Sequence, residues 1–192
     1  VMTCDVQMPK MDGIEFIRRL LPQYQLPVVV VSTVSDRIFD ALNAGAVDFV
    51  EKPDIRSTKG VEEFIEDLIM KIKIAANSKI SIPMRIHGNS RNPNGMIHSD
   101  KIIAIGASTG GTEAIYSVIS KLPTDIPGIV IVQHIPPVFS RMFAERLNKS
   151  TSLSVKEAVT GDWVEPGKVL IAPGDQHMRI RKFGNRYKTI CF

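Results

Sequence analysis

Ile102-Ile103-Ala104-Ile105-Gly106-Ala107-Ser108-Thr109-Gly110-Gly111-Thr112 reads as a short apolar strand that stops at Gly106, a turn of small residues, and a helix that starts at Thr112. Within it, Gly106-Ala107-Ser108-Thr109-Gly110 fits the G-x-S-x-G pattern, in which a serine hydroxyl is held exposed on a strand-to-helix turn. The backbone N–H groups that open the following helix lack intrahelical partners, so they can stabilise a developing oxyanion. A turn of this kind also cradles phosphate or simply joins two elements, and the pattern alone does not choose among these.

Outward from this turn, the chain alternates helices and strands. A helix is expected over 112–121, then a break at Pro123-Thr124-Asp125-Ile126-Pro127-Gly128. The run Ile129-Val130-Ile131-Val132-Gln133 reads as a buried strand ending at His134. A helix around Ser140 to Leu147 and strands near 153–159 and 168–172 follow, and Thr189-Ile190-Cys191-Phe192 lies inside another strand. Such alternation implies a mostly parallel sheet with right-handed crossovers. Ser108 and His134 each follow a predicted parallel strand, which puts them on one carboxyl edge. There an imidazole can accept the serine proton, although a histidine after a strand also serves as a hydrogen-bonded structural residue.

Upstream, residues 77–98 are polar, rich in Asn, Pro and Gly, and lack periodicity, as an interdomain linker does. Residues 1–76 form a second α/β unit. Val1-Met2-Thr3-Cys4-Asp5, Val28-Val29-Val30-Val31 and Ala46-Val47-Asp48-Phe49-Val50 read as its strands. Asp36 is placed to cap a short helix through Leu42 that ends at Asn43-Ala44-Gly45. Val61, Phe64, Ile65, Leu68, Ile69 and Ile72 repeat at helical spacing, with acidic residues expected at that helix's start and Lys71 and Lys73 near its end. Asp5, Ser32 and Lys52 each stand at a strand end, where ligands of open α/β sheets bind. An Asp, a hydroxyl and a Lys converging there can bind a phosphoryl group; singly, each is also explained as a cap, a strand-end hydroxyl or a loop entry. The fold class is thus α/β, two doubly wound, mostly parallel units in tandem: 1–76, then the 77–98 linker, then 99–192.

Composition sets the outer limits. The 192 residues carry a net charge of +4 and 44% hydrophobic residues, enough for one or two globular cores. No apolar run approaches the roughly 20 residues of a membrane span, and no signal peptide opens the sequence, so a cytoplasmic protein without membrane insertion is expected. Cys4 and Cys191 form no CxxC, which argues against a disulfide framework or zinc site. Residues 1–76 hold 9 Lys and Arg against 12 Asp and Glu, whereas residues 77–192 hold 15 against 8. The basic segment carries no aromatic ladder or nucleic-acid motif, so a basic surface suited to an acidic protein partner is expected rather than nucleic acid.

Asp5-Val6-Gln7-Met8-Pro9-Lys10-Met11-Asp12-Gly13, the hydroxyl after a Val-rich strand and Lys52-Pro53, in that order, closely resemble the receiver domain of two-component response regulators. The resemblance implies Asp5 as phosphoacceptor, Ser32 as switch hydroxyl, Phe49 as the aromatic that moves with it and Lys52 as the phosphate-contacting cation. It also implies magnesium for phosphorylation, held by Asp5 together with an acidic pair expected to lie before this chain's first residue. No other metal is implied.

Gly106-Ala107-Ser108-Thr109-Gly110-Gly111, Val132-Gln133-His134-Ile135-Pro136 and Ala172-Pro173-Gly174-Asp175-Gln176-His177-Met178 closely resemble the CheB chemotaxis methylesterases. A receiver ahead of such a domain is that family's own architecture. The resemblance implies a phosphorylation-regulated hydrolase of glutamyl methyl esters on chemoreceptors, without a cofactor for hydrolysis, and in some members deamidation of receptor glutamines. Ser108 is then the nucleophile and His134 the general base, with Thr109 and Gly110 at the oxyanion and support position. His177 falls in a family motif and is assigned a structural or pocket-lining role. The triad's Asp is expected downstream of residue 192; Asp162 and Asp175 do not match its motif. The implied partners are methylated chemoreceptors as substrate, a chemotaxis histidine kinase as phosphodonor, and an intramolecular receiver–catalytic contact.

The alternative is a receiver fused to a non-catalytic phosphate- or nucleotide-binding module, but the turn lacks G-x-G-x-x-G spacing. A DNA-binding regulator would show a helix-turn-helix after the linker, where strands and helices alternate instead.

Overall fold

The computed structural model describes residues 1–33, 35–53, 58–77 and 101–192. The chain divides into two units, Val1–Arg85 and Ile86–Phe192. Apart from Asn77, the predicted linker lies outside the described residues.

In the first unit, β1 (Met2–Asp5), β2 (Val28–Ser32) and β3 (Asp48–Glu51) form a parallel sheet in that order. Val28, Val29 and Val30 are completely buried, which explains their unbroken β-branched run in the central strand. The helices are α1 (Gly13–Leu20), α2 (Ser35–Asn43) and α3 (Thr58–Ala76). Asp12 caps α1 by accepting the Ile14 N–H at 2.8 Å, and the helix buries Ile14 and Ile17.

Two helix-end expectations are corrected. Helix α2 starts at Ser35, so Asp36 lies inside its first turn instead of capping it. Helix α3 starts at Thr58 and has no acidic residue in its first turn. Lys73 does stand in its last turn, but Lys71 is drawn inward, 6% exposed. There it donates to the Phe49 carbonyl at 2.7 Å and pairs with Asp67 at 3.1 Å. A buried ammonium of this kind is tolerated because it is both paired and hydrogen-bonded. Phe64 and Leu68 pack on Val29, Val50 and Ala75, while Ile65 and Ile69 remain half exposed.

In the second unit, β4 (Ile102–Ala107), α4 (Gly111–Ile119), β5 (Gly128–Gln133), α5 (Pro137–Ser150), β6 (Ser154–Glu157), β7 (Trp163–Val164) and β8 (Lys168–Ile171) follow one another. One sheet is parallel, in the order β4-β5-β8-β6. Strand β4 runs two residues beyond the predicted stop, because Gly106 pairs with Val132 and Ala107 with Gln133. Helix α5 begins at Pro137, ahead of the predicted start, since proline suits a first helical turn. Its Phe139, Phe143 and Leu147 are completely buried, as are Ile129, Ile131, Leu170 and Ile171 of the sheet. Val132, expected inside, is 51% exposed.

A second sheet was not anticipated. Strands β9 (Met178–Phe183) and β10 (Arg186–Cys191) pair antiparallel, and β7 pairs with β10, giving the order β7-β10-β9. Gly184 at φ 60° and Asn185 connect β9 to β10 in a two-residue turn whose first position favours glycine. Met178, Ile180, Tyr187 and Cys191 pack against Val130, Ala158, Val164 and Leu170.

Candidate functional site

Ala107 and Gln133 are the last register pair of β4 and β5, so Ser108 and His134 are the next residues of two adjacent parallel strands. They emerge on the same edge, and the His134 N–H donates to the Ala107 carbonyl at 3.2 Å. Both residues are exposed. A cavity of about 550 Å³ opens at this edge, lined among others by Ala107, Gln133, His134, Gly174 and His177. Ser108 is not among its lining residues; among the described residues, it meets His134 through neighbouring backbone rather than a side-chain hydrogen bond.

Gln133 links the two residues and was missed from sequence. Its side chain is 8% exposed, and its Nε2 donates to the Ser108 carbonyl at 2.9 Å and to the His134 carbonyl at 3.3 Å. Its Oε1 is buried without a hydrogen-bond partner among the described residues. A Cβ at Gly111 would collide with that oxygen, which explains the second glycine of the pair. Gly110 caps α4 at φ 73°, a left-handed conformation that favours glycine. The Gly111 N–H donates to the Ser108 carbonyl at 2.7 Å, so it is already engaged. Thr109 and Gly110, both partly buried, therefore supply the turn's remaining N–H groups.

The far wall of the cavity is fixed from α5. Ser140, fully buried, accepts the Gly174 N–H at 2.9 Å and stands 2.5 Å from Glu157 Oε1. A Cβ at Gly174 would meet the Pro137 nitrogen at 2.5 Å, so the loop passes flush against the helix start. His177 lines the cavity, as the sequence assignment has it, and Asp175 does so as an exposed residue at φ 57°. Asp162 is engaged elsewhere: it accepts the Val159 N–H at 2.8 Å and pairs with Lys156 at 2.9 Å. Burial pushes its carboxyl up, but those two partners outweigh it and hold Asp162 below the ordinary carboxylate range.

In the first unit, Asp5, Ser32 and Lys52 cluster at the carboxyl ends of β1, β2 and β3. Lys52 Nζ is ion-paired with Asp5 Oδ2, and Asp5 Oδ1 accepts the Gln7 N–H at 3.1 Å. Burial raises the Asp5 carboxyl; the Lys52 and Gln7 hydrogen bonds outweigh it, leaving Asp5 below its ordinary value. Ser32 is fully buried, and Phe49 is 2% exposed with the Lys71 ammonium 5.2 Å from its ring centre. A Cβ at Gly13 would overlap the Asp5 carbonyl, so glycine lets α1 pass close behind Asp5. Asp12 is taken up by its cap and by Arg37.

Magnesium does not fit these residues alone. Among the described residues no three His, Cys, Asp or Glu side chains converge as a metal site, so Asp5 lacks the companion ligands such an ion needs. Among the described residues, no helix is long and apolar enough to cross a membrane.

Residues 1–61 match the response regulator receiver domain and residues 103–191 the family described as CheB methylesterase. Together they define a mixed α/β protein with a receiver followed by a methylesterase domain. Residues 103–191 belong to the CheB methylesterase family, and relatives named as methylesterases align along the whole chain. It is 50% identical to the protein-glutamate methylesterase/protein-glutamine glutaminase 2 of Syntrophomonas wolfei, over 100% of this chain and 56% of the relative. The protein-glutamate methylesterase/protein-glutamine glutaminase of Syntrophotalea carbinolica is 46% identical over 100% of this chain and 57% of its own length. The chain thus spans little more than half of these relatives. A solved structure, the Thermotoga maritima CheB methylesterase catalytic domain, is 42% identical over 47% of this chain and 49% of its own, with a TM-score of 0.46.

Proposed function

We propose that the protein carrying this chain is a cytoplasmic enzyme that hydrolyses methyl esters on glutamyl side chains of chemoreceptors, under control of phosphorylation at Asp5. The observation that carries this reading is the placement of Ser108 and His134 just beyond paired parallel strands, beside a cavity that His134 lines.

In this reading the Ser108 hydroxyl attacks the ester carbonyl while His134 accepts its proton. The oxyanion forms against the N–H groups of Thr109 and Gly110. His134 returns the proton to the departing methoxide, methanol leaves, and a glutamyl ester of Ser108 remains. Water, activated by His134, then releases the glutamate carboxylate and restores Ser108. With a glutamine substrate the same steps release ammonia. Asp162 does not orient the imidazole, because its carboxylate is engaged by the Val159 N–H and Lys156.

A phosphoryl group on Asp5 would draw Lys52 and the Ser32 hydroxyl toward its oxygens, and Phe49 would respond through β3 and the Lys71 bond. Magnesium is the metal the family implies for that transfer, and a histidine kinase the phosphodonor. The phosphoryl group shifts activity only through its different interactions with the inhibited and active states.

Methanol release from a methyl-esterified receptor fragment, with and without a small-molecule phosphodonor, tests this function. Release is expected in both cases and faster with phosphodonor, the increase being absent in Asp5→Asn. Release no faster than in buffer would overturn the reading.

A further inference from the structure

Residues 176–192 contain five Lys and Arg and no Asp or Glu. The alternation of β9 and β10 separates their side chains into two faces. Met178, Ile180, Tyr187 and Cys191 turn toward the core, so Arg179, Arg181, Phe183, Arg186 and Lys188 turn outward. Trp163 joins this outer face, since it pairs with Lys188 across β7 and β10.

The outer face opposes its own charges. Arg181 and Lys188 are direct cross-strand partners, an arrangement in which like charges destabilise a sheet. Among the described residues neither is paired with a carboxylate; Glu165 is taken by Arg186 at 2.5 Å and Lys168 at 3.5 Å. Aromatic rings ease the repulsion: Arg181 and Lys188 both lie over Phe183, at 5.4 and 5.6 Å. Lys188 and Arg186 lie over Trp163, at 4.1 and 4.0 Å. The result is a basic stripe ordered in advance, lacking only anions.

The stripe leads to the cavity. His177, in the cavity lining, exchanges backbone hydrogen bonds with Phe192 at 2.8 and 3.1 Å, and their ring centres are 5.7 Å apart. Arg179 covers the Phe192 ring at 5.0 Å. From there Arg181 and Lys188 continue along strands of six residues, a track of roughly 20 Å. That length matches about 13 residues of α-helix.

We propose that this face is the docking track for an acidic segment of the protein substrate, one whose carboxylates flank the residue presented to the cavity. The inference rests on the hydrolase reading and adds how the macromolecular part of the substrate is recognised. A polypeptide is favoured over nucleic acid because the aromatic faces are occupied by the protein's own cations, so they are not platforms for base stacking. The cavity to which the track leads is lined by His134, the general base of the proposed hydrolysis.

The test uses a fluorescent, glutamate-rich helical peptide of about 13 residues and Arg181→Glu/Lys188→Glu, with Arg181→Gln/Lys188→Gln as the milder pair and Arg181→Lys as the charge-keeping control. Anisotropy is expected to show binding to the unsubstituted chain that weakens with salt. The Gln pair should lose at least tenfold in affinity and the Glu pair more, while Arg181→Lys keeps most of it. In the methanol-release assay both charge-removing pairs should raise KM for a methyl-esterified acidic segment with kcat unchanged. Equal peptide binding by all variants, or tighter binding of an RNA oligonucleotide of equal charge, would overturn the proposal. Because the binding arm needs no turnover, failure of the hydrolase reading shows separately, as absent methanol release.

Discussion

The side-chain amide of Gln133 donates to the backbone carbonyl of Ser108 at 2.9 Å, and the same nitrogen reaches the carbonyl of His134 at 3.3 Å. One buried side chain thereby fixes where two neighbouring strand ends place the proposed nucleophile and base. Gln133→Leu keeps much of the volume and removes the donor. It is expected to lower kcat by about tenfold, or ~1.4 kcal/mol of barrier, and stability by about 1 kcal/mol. Gly111→Ala should act in the same direction by pushing on Gln133 Oε1. Steady-state kinetics and urea midpoints on the two variants check this; an unchanged kcat in both would separate the amide from positioning.

The Asp5–Lys52 ion pair sets a second expectation. Asp5 ionises below its ordinary value in the folded protein, so it contributes stability above its unfolded pKa. That contribution is lost as pH falls through the lowered folded value. Lys52→Met removes the cation and should raise the Asp5 pKa, so the loss begins at a higher pH. Carboxyl NMR titration of both proteins reads the shift directly, and an Asp5 titration unmoved by Lys52→Met would contradict it.

The glycines differ in a way that denaturant midpoints can read. Gly13→Ala forces a methyl onto the Asp5 carbonyl, a backbone group that cannot yield, and should destabilise the first unit by about 1–3 kcal/mol. Gly106→Ala meets nothing within 4 Å and should be tolerated, although Gly106 opens the serine motif. Equal losses in the two would be inconsistent with this packing.

Much of this was legible in the chain, for physical reasons that vary by element. Val28–Val31 and Ile129–Ile131 announced central strands because both faces of such a strand are apolar. The strand-to-helix turn at Ser108 was readable because small residues have few other uses between an apolar run and a helix start. Gln133 was not: its role depends on two backbone carbonyls that only the β4–β5 register brings together. Lys71 was misread as a helix-end charge, since nothing local shows that Asp67 and the Phe49 carbonyl await it inside. The β9–β10 hairpin had a local signal, Gly184-Asn185 between two runs, and the basic residues of those runs obscured their strand period.

Ser140 offers a check on the cavity's far wall. Its hydroxyl accepts the Gly174 N–H from a fully buried position. Ser140→Ala leaves that N–H without its acceptor and should lower stability by about 1–3 kcal/mol. Hydrogen exchange at Gly174 should quicken with it; protection unchanged from the parent would show that the loop is held by other means.

In the proposed hydrolysis Ser108 carries the acyl group, and a chemical trap reads this directly. The protein carrying this chain is mixed with a methyl-esterified receptor fragment, quenched in acid within the first turnovers, digested and mapped by mass. A glutamyl adduct is expected on the peptide that contains Ser108, with neither adduct nor methanol release in Ser108→Ala. Methanol release by Ser108→Ala at the rate of the unsubstituted protein would contradict it.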